Sequence, residues 1–97
     1  MTLPYLINEI AAERQRQIEV EGWSVDHDDQ HADGSLAMAA AAYAHPLSKT
    51  AKWLWPPSWS LDWWKPKDRR RDLIRAAALI VAEIERLDRA SAKGSKP

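Results

Sequence analysis

From Asp68 to Asp88 the apolar residues Leu73, Ala77, Ile80, Ile84 and Leu87 follow the spacing that lays one continuous stripe along an α-helix. A second stripe, Ile74, Ala78 and Val81, lies beside it. An apolar arc this wide belongs to a helix packed on more than one side, so the segment is expected to be the central helix of a small bundle. Its N-terminal approach is basic, with Lys65, Lys67, Arg69, Arg70 and Arg71. They arrive where a helix leaves backbone N–H groups unpaired and attracts anions. A phosphorylated ligand is expected there if the protein binds one.

The rest of the chain has to supply partners for that helix. Thr2 and Pro4 suit a helix start, and Leu3, Ile7, Ile10, Ala11, Arg14 and Ile18 keep helical spacing up to Gly22, which predicts a first helix over about 4–20. Its Glu9, Glu13, Arg16, Gln17 and Glu21 read as a solvated face with helical ion pairs. Ser35 to Ala44 is a second helix made mostly of alanine, capped by Asp33 or Ser35 and ended by His45-Pro46. Small side chains admit a close neighbour, which places it mid-bundle. Met38 and Tyr43 are expected to be packing residues. The fold class is therefore all-α: a small helical bundle of three main helices, with a long Trp/Pro-rich loop between helices two and three. Residues 1–97 form a single domain, of which about 90–97 are a flexible tail.

Ninety-seven residues lie near the lower end of what encloses a core alone, so a homo-oligomer is expected. The chain has no cysteine, which excludes disulfides and thiolate metal sites. With neither a signal-peptide pattern nor an apolar run near membrane length, it is expected to be cytoplasmic, with no membrane partner. Net charge is zero but uneven: residues 1–34 carry eight acids against two arginines, residues 35–75 eight bases against three acids, and the remainder four bases against three acids. That balance argues against general nucleic-acid binding.

Two segments hold the candidate chemistry. The polar loop Gly22–Gly34 gathers His27, Asp28, Asp29 and His31 within five residues. Imidazole and carboxylate suit zinc, manganese or magnesium, so Asp28, Asp29 and His31 are the candidate ligands of Mg or another divalent metal; alternatively these side chains cap the next helix and pin the loop. Residues 47–67 contain Trp53, Trp55, Trp59, Trp63 and Trp64 with Pro56, Pro57 and Pro66. So much aromatic surface must partly cap the bundle. One or two of these rings, with Trp23, are candidates to stack on a nucleobase, while Lys65, Arg69, Arg70 and Arg71 take phosphates. His27 and His31 would hydrogen-bond polar edges of the ligand.

The segment Glu9-Ile-Ala-Ala-Glu-Arg-Gln-Arg-Gln-Ile-Glu-Val-Glu-Gly-Trp23, with the Asp/His loop after it, is similar to the opening of small phage and prophage proteins of unassigned role. It also resembles, more distantly, MazG-like all-α NTP pyrophosphohydrolases. Arg71 to Asp88 resembles the last conserved helix of that superfamily, and the two segments cover about a third of the chain. The resemblance implies an all-α nucleotide-handling fold whose magnesium is held by Glu-Glu-x-x-Glu and Glu-x-x-Asp carboxylates. This sequence departs from that pattern: Gly34-Ser-Leu-Ala-Met-Ala-Ala-Ala-Ala carries no carboxylate, and on the later helix only Asp72 stands in. Binding a nucleotide does not need those ligands, whereas hydrolysing one does.

Three functions follow. The first is a phage-type protein that binds and sequesters a nucleotide-derived immune signal, linear or cyclic, as counter-defence, using Trp23, His27, His31, Trp59, Trp63, Trp64, Lys65, Arg69, Arg70 and Arg71, at sites between subunits. The second is a divalent-metal-dependent nucleotide pyrophosphohydrolase built on His27, Asp28, Asp29 and His31, with Glu13 or Asp72. The third is an inhibitor that binds a host protein through the Trp-rich loop.

Overall fold

The computed structural model describes residues 3–47 and 51–94. Four α-helices occur among them: α1 (Leu3–Glu19), α2 (Val25–Asp29), α3 (Ser35–Ala44) and α4 (Arg69–Gly94), with 3-10 turns at Lys52–Leu54 and Leu61–Trp63. No strand occurs among the described residues, so the all-α class with three long helices is what the chain adopts. Expectations for Thr2, for 48–50 of the Trp-rich segment and for 95–97 of the tail fall outside the described residues. Within them α4 continues to Gly94.

Local chemistry sets the boundaries. Gly22 turns the chain after α1 with φ 77°, a conformation that costs glycine little. Gly34 does the same before α3 with φ 89°, and the Asp33 carboxylate accepts from the Ser35 backbone N–H at 3.0 Å and from its hydroxyl. Ser24 caps α2 by accepting from His27 N–H. At α4 the Asp68 carboxylate accepts from Arg71 N–H at 3.1 Å, and Asp72 accepts from Lys67 N–H at 2.7 Å. The chain's own carboxylates thus serve the helix end where an anion was expected.

α3 lies on α4 and supplies five of the eleven residues of the core cluster. Leu36, Ala39, Ala40, Ala42 and Tyr43 face Ala76, Leu79 and Ala82, and Trp23, Trp55 and Trp59 close the end of this cluster. Alanine on both helices permits the close approach its composition implied. Tyr43 is buried as expected, whereas Met38 is partly exposed because it lies on the outer side of α3.

Two expectations fail for the same reason. The stripe Leu73, Ala77, Ile80, Ile84, Leu87 is not the core face of α4: Leu73 is 42% exposed, Ile80 49%, Ile84 51% and Leu87 51%. The buried residues of α4 are instead Ile74, Ala76, Ala78, Leu79 and Ala82 together with Asp72, Arg75 and Arg86, and of these Ala76, Leu79 and Ala82 pack with α3. Nor is the polar side of α1 solvated, because Glu13, Arg14 and Gln17 are its buried residues. α1 docks on α4 through ion pairs and hydrogen bonds: Arg70 to Glu9 at 2.6 Å, Arg71 to Glu13 at 2.5 Å, Arg14 to Glu85 at 3.3 Å, and Gln17 Nε2 to the Arg75 carbonyl at 3.5 Å. Its aliphatic residues Leu3, Leu6 and Ile7 remain exposed. The Cα extents of 43 × 36 × 22 Å describe a slab, about two helix diameters thick. A slab that thin cannot cover α4 on all sides.

Candidate functional site

The short α2 brings the two loop histidines together. One helical turn separates His27 from His31, and their ring centroids lie 4.5 Å apart. Contacts from both sides fix the tautomers. His27 Nδ1 lies 3.2 Å from Asp28 Oδ1; an ionised carboxylate only accepts, so this nitrogen carries hydrogen and Nε2 is the acceptor. His31 Nε2, 3.3 Å away, therefore donates to His27, leaving His31 Nδ1 to accept from Trp59 Nε1–H at 3.4 Å. The other Asp28 oxygen accepts from Arg14 Nη2 at 2.5 Å, with Asp28 fully buried. One directed chain, Trp59 to His31 to His27 to Asp28, ends on the α1 arginine. Burial, and then the neighbouring His27, hold the His31 pKa below the ordinary histidine value.

Rings from two distant segments surround this chain. Trp23 lies parallel to His27, at 6.2 Å and 7°, and Trp59 is tilted over Trp23 at 5.5 Å. Trp63 meets Trp59 edge-on at 5.5 Å and His27 at 6.0 Å. Trp55 continues the array from Trp59 to Tyr43 and Trp64, at 5.4, 5.7 and 6.2 Å. Edge-to-face and offset contacts of this kind are the favoured aromatic geometries. Trp23, Trp55 and Trp59 are buried, so two of the five tryptophans in the 47–67 segment cap the bundle fully; Trp63 keeps 37% of its surface exposed and Trp53 70%. Trp64 is half-buried, and its Nε1 is buried with no hydrogen-bond partner among the described residues.

Beside the array, a concave slot of about 240 Å³ is lined by Lys52, Trp55, Pro56, Pro57, Trp59 and Leu61. Trp59 thus touches the histidines and also borders the slot. The fold reaches this geometry through tight local turns: Trp55 Nε1 donates to the Ser60 carbonyl at 3.1 Å, and Ser60 Oγ accepts from Asp62 N–H.

The basic residues do not converge. Lys65 Nζ bonds Glu21 at 3.0 Å, tying the Trp23 loop to the Trp63 loop, and Lys65 N–H donates to Tyr43 Oη. Arg69 donates to the carbonyls of Ala44 and His45 at the C-terminal end of α3, where cations are favoured. Arg70 and Arg71 reach α1 through Glu9 and Glu13. Burial pushes the Glu21 carboxyl up, but hydrogen bonds from Lys65 and Arg16 outweigh it and hold the group below the usual range. In Glu13, likewise, burial is overcome by Arg16 and Arg71.

Asp28 and Asp29 also diverge. Asp28 belongs to Arg14, and Asp29 accepts from Arg89 on α4 at 2.8 Å. Among the described residues no group of three or more His, Cys, Asp or Glu is placed to hold a metal ion. Of the enzyme alternates, Glu13 is buried between Arg16 and Arg71, and Asp72 is buried under the start of α4. Arg14, Lys52, Trp55 and Leu61 were not among the expected site residues. An arginine within the apolar stripe of α1 is a sequence signal for a buried ion pair, whereas the slot residues differ in no pattern from their neighbours. No helix among the described residues is long and apolar enough to cross a membrane. Compared with known proteins, the chain matches no family model, no curated protein and no solved structure.

Proposed function

We propose that this chain binds a small nucleotide-derived molecule and sequesters it without cleaving it. The observation that carries this reading is the slot between Trp55, Pro56, Pro57, Trp59 and Leu61, with Lys52 on its rim. Its volume of about 240 Å³ suits one planar base more than a whole dinucleotide. Aromatic rings stack on a base whatever its edge pattern; Trp55 and Trp59 form the floor of the slot, the exposed Pro57 and Leu61 its rim, and the Lys52 ammonium supplies a charge for a phosphate. The Trp59 ring is held from behind by His31, so little order is lost on binding. Lys65 is a second cation for a longer ligand, released when a phosphate replaces Glu21. Retention without turnover accords with the engagement of Asp28 and Asp29 by Arg14 and Arg89. The part played in counter-defence rests on the resemblance to phage proteins alone.

The test is native mass spectrometry and titration calorimetry with linear and cyclic nucleotides, each with and without Mg²⁺. An intact nucleotide is expected on the wild-type protein. Lys52→Ala and Leu61→Ala, both at the slot, are expected to weaken it by roughly tenfold each. A protein that retains no nucleotide, or retains one equally well in both variants, would overturn the reading. A protein partner for the Trp-rich loop has one observation in its favour, the 70% exposure of Trp53. Recovery of a stoichiometric partner that Trp53→Ala abolishes would establish it.

A further inference from the structure

The exposed stripe of α4 alternates four- and three-residue steps from Leu73 through Ala77, Ile80 and Ile84 to Leu87, the heptad spacing of a coiled-coil seam. It runs over 15 residues, roughly 21 Å from first to last, and no element among the described residues covers it. Beside it a groove of about 320 Å³, lined by Ile7, Ile10, Ala11, Arg14, Ala77, Val81 and Glu85, separates α1 from α4. Polar contacts hold α1 at this edge, so the aliphatic sides of both helices are left open together. Large aliphatic residues over so long a seam are not what a lone surface helix presents.

We propose that a second copy of this chain covers the stripe, with the two α4 helices packed antiparallel about a twofold axis near positions 78 and 79. In that register Leu73 of one copy lies beside Ile84 of the other, and Ala77 beside Ile80. Leu73 and Ile80 thus meet apolar partners, Leu87 lies against the aliphatic stem of Arg70 of the other copy, and the small Ala77 of each copy near the centre lets the helices approach closely. Charge agrees with the same register. Arg70 and Asp88 are 18 residues apart, five helical turns, and so flank the stripe on one side. The twofold then sets Arg70 of one copy near Asp88 of the other, twice. Arg70 is half exposed despite its Glu9 contact, and Asp88 is exposed. A parallel pair would instead stack Arg70 on Arg70 and Asp88 on Asp88. The inference does not depend on the ligand reading, since the slot lies outside this face.

Sedimentation equilibrium over a wide concentration range tests the association, with twice the 11.0 kDa chain mass expected. Ile80→Asp sets a charge in the centre of the seam and is expected to raise the dissociation constant by roughly tenfold or more, with helicity by circular dichroism unchanged. The chain contains no cysteine, so single cysteines report the register. An oxidised mixture of Leu73→Cys and Ile84→Cys proteins is expected to give a crosslinked dimer, while each variant alone gives none. A monomer at every concentration, a dimer indifferent to Ile80→Asp, or crosslinking of Leu73→Cys with itself would each overturn the proposal.

Discussion

α4 presents two apolar faces that meet opposite environments. The face against α3 is built from Ala76, Leu79 and Ala82, and the helix also buries Asp72, Arg75 and Arg86. The opposite face carries Leu73, Ile80, Ile84 and Leu87, all half exposed. By side-chain hydrophobicity alone the second face should be the core. What decides is the shape of the partner: α3 offers alanines, and a small-residue face takes a small-residue face at short distance, where the packing is dense. The larger stripe is left exposed.

The sharpest test of this difference places one substitution on adjacent residues. Leu79→Asp buries an unpaired carboxylate in a fully enclosed position and is expected to cost more than about 4 kcal/mol, enough to unfold a domain this small. Ile80→Asp, measured in dilute protein, is expected to stay within about 1 kcal/mol. Denaturant titration of both variants reads the contrast. Equal destabilisation would mean that α4 is enclosed on both sides after all. A milder version, Leu79→Ala, should still cost about 2–5 kcal/mol by cavity formation.

A smaller effect is expected where α1 docks through polar groups. Removing the buried Glu13 in Glu13→Ala takes the carboxylate from Arg71 and leaves Arg16 with Glu21 alone, and is expected to cost about 2–3 kcal/mol. Hydrogen exchange should show the loss in α1 ahead of α3. The same carboxyl gives the seam between α1 and α4 an acid limit. The pKa values of Glu13 and Glu21 are depressed below 4.5 in the fold, so their contribution is fully present above the unfolded value and is lost as pH falls through the depressed native values. Acid unfolding below about pH 4.5 should therefore begin in α1, and Glu13→Ala should blunt its pH dependence.

These contacts also mark what the sequence could convey. The three long helices, their order and most of their ends were legible because periodicity and the residues at Gly22, Gly34, His45 and Asp68 act locally; the short α2 and the extension of α4 to Gly94 were not. Which face of α4 is inside was not, since periodicity ranks faces by hydrophobicity and carries no information on the neighbour's shape. α2 is a single turn of polar residues, so it has no apolar period to detect. The meeting of His27 and His31 with Trp59 spans 28 residues or more, and only the tertiary fold creates it. The arginines at 69–71 were legible as a charge cluster; successive side chains on a helix point about 100° apart, and this is why their partners lie on α3 and α1.

The smallest expected effect concerns the histidine pair, and it separates a structural link from a titrating one. The His31 pKa is held down first by burial and second by His27. His27→Gln removes the second cause while leaving most of the bulk, so the His31 pKa is expected to move upward yet remain below 6.5. NMR titration of the His31 ring protons measures this directly. The sign for stability follows: the unfolded chain protonates His31 more readily than the fold does, so stability falls as pH drops through 6.5 toward the native value. Protonation at Nδ1 also takes the acceptor from Trp59 Nε1–H, and Trp59 fluorescence should change over the same range. A His31 value unmoved by His27→Gln, with the fluorescence step intact, would leave burial as its whole cause and confine the histidine chain to packing.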